Sequence, residues 1–208
     1  MSALGPSGRD EPPLGPPTER GISRAIDEGL LLEGLEEIVH RPILVATASR
    51  HGATREIGDV IAAALRSRGS AAESADAAAV DDVEPYAAVV LGSAVYGGHW
   101  LEDALALARR RRAALLERPV WLFSSGPIGD PRRRLVRWMG ADPVDLPELV
   151  RLVDPVEHRM LPGRLLGADV GRVQRMALRL ARLEGDFRNW PAVEAYAAAI
   201  AAAVTVGR

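Results

Sequence analysis

Short apolar runs alternate along the chain with segments in which apolar residues recur every three to four positions. Three of the runs are nearly continuous, which is typical of strands buried on both faces of a parallel sheet. They are Ile43–Ala48, Ala87–Ser93 and Val120–Ser124. Two weaker runs, at residues 71–76 and 157–161, indicate two more strands. The pattern therefore predicts a sheet of five strands.

Apolar residues at helical spacing follow most of these runs. The first predicted helix carries Ile57, Ile61 and Leu65 on one face and ends at Gly69, a residue suited to a helix C-terminus. Alternating strands and helices predict an α/β fold, a doubly wound five-stranded parallel sheet with helices on both faces. Five strands suit the order 2-1-3-4-5 of the smaller doubly wound fold. The other helices are predicted at residues 101–116, 146–152, 169–183 and 191–204.

The N-terminal part of the chain has a different composition from the rest. Residues 1–20 are rich in Pro and Gly and poor in apolar residues, so we expect a disordered tail. Residues 21–39 show helical spacing that glycines interrupt, which indicates a weak helix. With 208 residues, the chain has the length of one domain and an appendage. We therefore expect an extension over residues 1–41 and a single folded domain over 42–208.

The composition excludes several classes of function. The chain has no cysteine, which excludes disulfides, thiol nucleophiles and thiolate metal sites. All 26 basic residues are arginine, so neither a P-loop lysine nor a Schiff-base lysine is present. A net charge of −2 gives no electrostatic drive toward nucleic acid. No apolar run is long enough to span a bilayer and the start lacks the pattern of a secretory signal, so we expect a cytoplasmic protein.

The loop after the first strand is the strongest candidate for a binding site, because ligands of open parallel sheets bind at the carboxyl ends of the strands. A glycine stands just before the helix, whose unpaired backbone N–H groups favour an anion. One hydroxyl could simply cap the helix. A cap needs only one such residue, however, so three hydroxyls with a glycine favour phosphate binding. The candidate residues are Thr47, Ser49, Arg50, His51, Gly52, Ala53 and Thr54.

Two further loops should reach the same edge of the sheet. The second mixes small residues, which admit a flat ring, with Tyr96, which could stack on that ring or simply pack. We expect Trp100, at the start of a helix, to be a packing residue. The third loop supplies backbone N–H groups. The candidates are Ser93, Ala94, Val95, Tyr96, Gly97, Gly98 and His99 in the second loop and Ser125, Gly126, Pro127 and Ile128 in the third.

Other phosphate-site and catalytic motifs are absent from the sequence. It has neither the G-x-G-x-x-G spacing of dinucleotide folds at the first loop nor a G-x-S-x-G nucleophile elbow. The four histidines show no metal-ligand spacing, so we expect no metal site. His51 and His99 could bind the ligand or protonate an acceptor, or they could be solvated loop residues. No catalytic side chain can be assigned from the sequence.

Three motifs resemble one known family. The segment Ala46–Ile57 resembles the phosphate loop of flavodoxin-type domains, and Ser93–His99 resembles their second flavin loop. The segment Gly185–Trp190 is similar to a recurrent ending in a bacterial branch of that family. The branch includes the menaquinone-dependent protoporphyrinogen oxidases of flavodoxin type. The resemblance covers about residues 42–204.

This resemblance implies an FMN cofactor, with its phosphate on the first loop and its isoalloxazine ring between the second and third. It implies an FMN-dependent oxidoreductase that acts on a small-molecule redox substrate, with quinone-linked oxidation of protoporphyrinogen as the branch's activity. Electron-shuttle flavodoxins are typically strongly acidic, whereas this chain is nearly neutral and carries Arg50 and His51 in the phosphate loop. These departures favour the oxidase branch. A plain electron carrier and a non-catalytic module that has lost flavin remain the alternatives.

Two arginine-rich segments follow the third loop. The stretch Arg132–Met139 combines arginines with Leu, Trp and Met, a mixture typical of bilayer interfaces. We expect it to make a peripheral contact with an anionic membrane surface, where a quinone acceptor would be within reach. In Arg172–Arg182 the arginines lie opposite an apolar face, and this pattern favours a core-packed helix with a solvated charged side.

Overall fold

Five parallel strands form the central sheet of the computed structural model, which describes residues 41–126, 142–165 and 185–206. A short sixth strand, β4, pairs with the end of β3, and β7 and β8 form a separate two-stranded pair. In chain order the elements are β1 (Ile43–Ala48), α1 (Ala53–Ser67), β2 (Ala72–Asp76), β3 (Ala88–Tyr96), β4 (His99–Trp100), α2 (Glu102–Arg110), α3 (Arg112–Leu116), β5 (Val120–Gly126), α4 (Leu146–Val153), β6 (Glu157–Pro162), β7 (Arg164–Leu165), β8 (Gly185–Asp186) and α5 (Trp190–Val206).

The strand order is β2-β1-β3-β5-β6, and every neighbouring pair on this path is parallel. Counting the parallel strands alone, this is the predicted order 2-1-3-4-5, which is confirmed. The winding direction changes between β1 and β3, where an open sheet of this kind places its ligand. The register sets Ala48 opposite Ser93, and Ala94 opposite Ser125. The ends of the three strongest strands therefore lie side by side.

Both faces of the sheet are covered, as the continuous apolar runs predict. Successive residues of a strand point to opposite faces, so Leu44 packs in one hydrophobic cluster with α2, α3 and α4, while Val45 packs in another with α1 and α5. Gly92 leaves room for the ring of Phe123 on the neighbouring strand β5, because a Cβ at this position would fall 2.1 Å from that ring. The sheet is thus a rigid platform behind its carboxyl edge.

Three predicted boundaries are corrected by the structure. The helix predicted at residues 101–116 is divided at Arg111 into α2 and α3, and this interruption lets Leu115 join the buried core. The second loop is shorter than predicted, because β3 continues through Tyr96 and turns back into β4. The third apolar run likewise extends to Gly126. In the two strand cases, backbone pairing with a neighbouring strand continues the segment beyond the local apolar pattern.

Several predictions concern residues outside the described ranges. They are the N-terminal tail and weak helix, the third-loop residues Pro127 and Ile128, the basic stretch Arg132–Met139, and the helix at residues 169–183. Within the described part of the chain, no helix has the length and apolar character needed to cross a bilayer.

Candidate functional site

A cavity of about 150 Å³ opens at the carboxyl edge of the sheet. Its walls come from the ends of four parallel strands, so three loops predicted separately from the sequence do meet at one place. The lining residues are Ser49, His51, Ala53 and Thr54 after β1, Ala94, Val95, Tyr96 and Gly97 at the end of β3, Ser125 and Gly126 at the end of β5, and Gly163 and Arg164 after β6.

The first loop leads directly into the N-terminus of α1. Gly52 precedes the helix with a φ of +81°, a left-handed conformation that glycine adopts without strain. As a glycine, it has no side chain to cap the helix, and the first backbone bond of the helix runs from the Glu56 N–H to the Gly52 carbonyl at 2.9 Å. The amides of the first turn therefore point toward the cavity edge with the positive end of the helix dipole. This is a suitable environment for an anionic group.

The second loop is a tight turn that carries an aromatic side chain to the cavity rim. Gly97 and Gly98 have φ values of +62° and +88° and reverse the chain between β3 and β4. The ring of Tyr96 is 37% exposed. The guanidinium of Arg50 lies 5.0 Å from the centre of that ring, and the imidazole of His51 meets its edge at 6.3 Å between ring centres. The rim is therefore cationic and aromatic, a combination that can hold a flat ring.

Several predicted site residues lie near the cavity but do not line it. Thr47 is buried within β1, and its Oγ1 has no hydrogen-bond partner among the described residues. The Ser93 hydroxyl accepts the Leu101 N–H at 2.9 Å and donates to the Ala94 carbonyl at 2.9 Å, so it joins β3 to the start of α2. The Gly98 carbonyl accepts a backbone N–H from Val144 at 2.9 Å. Arg50 and Gly52 support the rim and the helix start, respectively.

His99 faces a carboxylate. Its Nδ1 lies 3.1 Å from Oδ1 of Asp145, whose Oδ2 accepts the backbone N–H of Trp100 at 2.8 Å. The imidazole is still 57% exposed, although it is not among the residues that line the cavity. Asp145 therefore holds the end of the second loop in place through both of its oxygens.

Three polar side chains, from β4, β5 and β6, form a hydrogen-bonded network in the protein interior. The indole N–H of Trp100 donates to the hydroxyl of Ser124 at 2.7 Å, and that oxygen lies 2.9 Å from Nε2 of His158. Burial lowers the pKa of His158, against the opposite effect of Asp142 and Glu157. Trp100 is only 4% exposed, which confirms that it is a packing residue. When the imidazole is neutral and its Nε2 accepts a hydrogen bond from the Ser124 hydroxyl, all three groups are satisfied.

Gly163 and Arg164 are lining residues that the sequence analysis did not identify. The Gly163 N–H donates to the Gly126 carbonyl at 2.8 Å, which brings the end of β6 against the end of β5. Arg164 then reaches the first loop, with NH2 3.3 Å from the His51 carbonyl and NH1 3.3 Å from the Glu56 carboxylate. The available signal was Pro162-Gly163 at the end of the last strand, because β6 ends at the same edge as the others. Among the described residues, no group of three potential metal ligands gathers.

Comparisons with known proteins agree with this arrangement. A family model described as a flavodoxin domain matches residues 44–185. No curated protein sequence matches the chain. Among solved structures, rubredoxin oxygen:oxidoreductase from the anaerobe Desulfovibrio gigas aligns with a TM-score of 0.55 and 14% identity, over 90% of this chain and 41% of that protein.

Two more solved structures complete the comparison. The Flv1 flavodiiron core from Synechocystis sp. PCC6803 aligns with a TM-score of 0.57 and 15% identity, over 89% of this chain and 41% of that protein. A flavodoxin from the domain Archaea aligns with a TM-score of 0.47 and 16% identity, over 79% of this chain and 99% of that protein. The chain thus spans 41% of the length of each of the first two proteins. At 14% and 15% identity, the similarity to these first two proteins shows the fold alone.

Proposed function

The chain belongs to the flavodoxin domain family, and from that membership we propose that it is an FMN-dependent oxidoreductase. The family implies FMN as the cofactor and a flavin-binding redox function. The observation that supports the proposal most directly is that hydroxyl groups, a helix N-terminus and a cation surround one cavity. FMN has a phosphate at one end and a flat ring at the other, and the residues around the cavity must suit both.

The phosphate end fits the first loop. Ser49 and Thr54 offer hydroxyl groups on the cavity wall, and the backbone amides after Gly52 offer N–H donors. A Cβ at Gly52 would meet nothing within 4 Å, so the backbone is open to close approach. The buried Nε of Arg164, a residue that lines the cavity, has no hydrogen-bond partner among the described residues. A bound anion would supply an acceptor on the side of the cavity where this donor lies.

The ring end fits the second and third loops. Ala94, Gly97, Ser125 and Gly126 line the cavity with small side chains or none, which leaves room for a planar ring against the backbone. Tyr96 stands at the rim, where its exposed ring can stack on the flavin. When bound, FMN supplies the electron-transfer chemistry, and these residues bind it, orient it and cover part of it.

We further propose a quinone as the electron acceptor and a porphyrinogen as the donor. In each cycle the porphyrinogen would lose two electrons and two protons, and the quinone would gain them to become a hydroquinone. The near-neutral charge of the chain and the Arg50–Tyr96 contact at the rim support this assignment over an electron shuttle, whose acidic surface would attract basic proteins. A plain electron carrier is the alternative.

One sequence of measurements tests the proposal. The purified protein should absorb in the flavin region, or take up added FMN with quenching of flavin fluorescence. The loaded protein should then reduce a soluble menaquinone analogue only when protoporphyrinogen is present. FMN binding without this turnover, together with electron transfer to a redox protein, would establish a carrier instead. A colourless protein that takes up no FMN would contradict the assignment and leave a binding module.

We also propose that the basic stretch Arg132–Met139 contacts an anionic membrane at the inner face. The support is its composition, because arginines beside Trp and Leu suit the boundary between lipid headgroups and acyl chains. The protein should co-sediment with vesicles that contain anionic lipid and not with neutral vesicles. Replacement of the three arginines at 132–134 by glutamine should abolish that difference. Equal binding to both kinds of vesicle, or binding to neither, would refute this contact.

A further inference from the structure

We propose that Arg164 makes the cavity selective for a phosphorylated flavin, and that the segment Gly185–Trp190 positions its guanidinium for this purpose. The inference rests on the proposed function, because the phosphate concerned is that of FMN. It gives a specific role to the cation on the cavity wall, and it assigns a role to a feature that the function leaves unused, a C-terminal motif far from the three flavin loops in sequence.

Arg164 reaches the cavity because the residue before it, Gly163, has no side chain. A Cβ on Gly163 would fall 2.8 Å from the Ser125 hydroxyl, closer than Cβ atoms come to other groups, and 3.0 Å from the Gly126 carbonyl, a very tight contact, so a neighbour would have to shift. With no Cβ there, the end of β6 approaches β5, and β7 begins at the cavity wall with Arg164. The position of this arginine is therefore set by the backbone of the sheet.

The guanidinium of Arg164 is incompletely satisfied by the protein. Its NH2 donates to the His51 carbonyl in the phosphate loop at 3.3 Å, a long bond, and its NH1 lies 3.3 Å from Oε1 of Glu56. Its buried Nε has no acceptor among the described residues. A buried donor without an acceptor is unfavourable, and an anion beside it removes that penalty. The side chain is 24% exposed, so the guanidinium remains open to the cavity that it lines.

A second arginine engages the same carboxylate. Arg188 binds Oε2 of Glu56 and also forms two bonds with Asp186, at 2.8 and 2.6 Å. Glu56 is thus shared between Arg188 and Arg164, and Asp186, whose pKa Arg164 also helps to lower, is hydrogen-bonded to Arg188, so neither carboxylate neutralises Arg164 alone. The side chain of Arg188 is 8% exposed and its guanidinium lies 4.6 Å from the centre of the Trp190 ring, so it is held firmly.

The C-terminal motif also holds the backbone next to Arg164. In the β7–β8 pair, Arg164 is opposite Asp186, and the Phe187 N–H donates to the Gly163 carbonyl at 3.1 Å. The motif therefore fixes both the main chain of Arg164 and its carboxylate neighbour. Arg188 itself is a positioning residue, because it acts on the cavity through Glu56.

A phosphate monoester is the ligand group that this arrangement selects. Arginine offers a planar set of donors that matches phosphate oxygens, and hydrogen bonds to charged groups are the stronger kind. Riboflavin has the same ring as FMN and lacks the phosphate. Loss of the Arg164 charge should therefore weaken FMN binding about tenfold or more and leave riboflavin binding nearly unchanged.

The first experiment compares the two flavins. Dissociation constants for FMN and riboflavin are measured by fluorescence quenching for the unaltered protein, for Arg164→Gln and for Arg109→Gln. Arg109 is the matched control, because it lies on α2, pairs with Glu102 of the same helix and Glu148 of α4, and does not line the cavity. Only Arg164→Gln should reduce the preference for FMN. An equal loss for both flavins, or no loss for either, would overturn the inference while FMN binding itself still stood.

Substitutions at Arg188 test whether this residue positions the guanidinium of Arg164. Arg188→Gln should also reduce the FMN preference, by less than Arg164→Gln, and Arg188→Lys should restore part of it because a cation again engages Glu56. A purely structural role would weaken FMN and riboflavin alike. If the ratio of the riboflavin and FMN dissociation constants is the same in both Arg188 variants as in the unaltered protein, the positioning role of the C-terminal motif is overturned.

A measurement on the unaltered protein does not depend on the folding of any variant. The Nε–H resonance of Arg164 in the ¹⁵N-labelled protein should shift saturably on titration with inorganic phosphate, and the Arg109 resonance should not shift. Chloride at matched ionic strength is the control. A phosphate shift in a protein that binds no flavin would remove the proposed function and keep Arg164 as a phosphate-selective residue. An Arg164 resonance that neither phosphate nor FMN moves would overturn the inference.

Discussion

The backbone N–H of Gly163 donates to the carbonyl of Gly126 at 2.8 Å, and this contact joins the ends of the two last parallel strands at the cavity wall. Both residues are glycines that line the cavity. Their close approach places β7, and with it Arg164, against the loop that follows β1. The shape of the site therefore depends on a position where even a methyl group does not fit.

The substitution Gly163→Ala should destabilise the protein and weaken FMN binding. The new Cβ would lie 2.8 Å from the Ser125 hydroxyl, and such overpacking costs about 1–3 kcal/mol of unfolding free energy. Urea denaturation and FMN titration measure the two effects. Gly69→Ala is the control: it has a φ of +85° and open space around its Cβ, so it should lower stability through backbone strain alone. Equal FMN affinity in both variants would contradict the prediction.

Removal of the Ser124 hydroxyl should cost about 1–3 kcal/mol of unfolding free energy, because the buried indole N–H of Trp100 would lose its acceptor. Urea denaturation followed by tryptophan fluorescence measures this for Ser124→Ala. Ser67→Ala removes a hydroxyl that bonds a carbonyl near the exposed end of α1, and should change stability by less than about 0.5 kcal/mol. If Ser124→Ala and Ser67→Ala lose the same free energy of unfolding, the buried hydrogen bonds of Ser124 stabilise the protein no more than an exposed hydroxyl does.

Stability should fall at mildly acidic pH because of His158. Burial lowers its pKa in the folded state, while in the unfolded chain the imidazole has its ordinary pKa of about 6.5. Below about pH 6.5 the unfolded chain therefore takes up a proton that the folded protein resists, and the free energy of unfolding decreases as the pH drops. Above that pH this histidine contributes no pH dependence.

The comparison with His158→Gln isolates this effect. Urea denaturation between pH 5 and pH 8 should give a smaller loss of stability toward acid in the variant than in the unaltered protein. The two proteins should have parallel profiles above about pH 7. If the unaltered protein and His158→Gln lose the same free energy of unfolding toward acid pH, groups other than His158 cause the loss.

Substitution of Thr54 tests the phosphate loop directly. Thr54→Val keeps the shape of a side chain that lines the cavity and is 2% exposed, and removes its hydroxyl. We expect FMN binding to weaken by at least about 1 kcal/mol, or roughly fivefold in the dissociation constant. Thr205→Val on α5 is the matched control, because that hydroxyl bonds the Ala201 carbonyl in the same helix and does not line the cavity. An unchanged dissociation constant in Thr54→Val would count against a phosphate at this loop.

The sequence predicted the sheet well because the signals for it are local. Continuous apolar runs such as Ile43–Ala48 are buried on both faces, and five strands alternating with helices suit the order that the structure shows. Glycine before α1 and hydroxyls around it marked the first loop. The interruption at Arg111 and the continuation of β3 through Tyr96 were not predictable in this way, since packing against other elements decides them.

What the sequence determined by itself is the class of fold and the edge of the sheet at which three loops of small and hydroxyl residues meet, where we expect the ligand. Periodicity and turn chemistry act over a few residues, and these features need nothing more. Only the tertiary structure brought Arg164 to the loop of His51 and set Arg188 against Glu56, because these partners are 113 and 132 positions apart. No local pattern encodes such pairs. They follow from parallel strands that end at one edge and from a glycine that allows the last strand to approach.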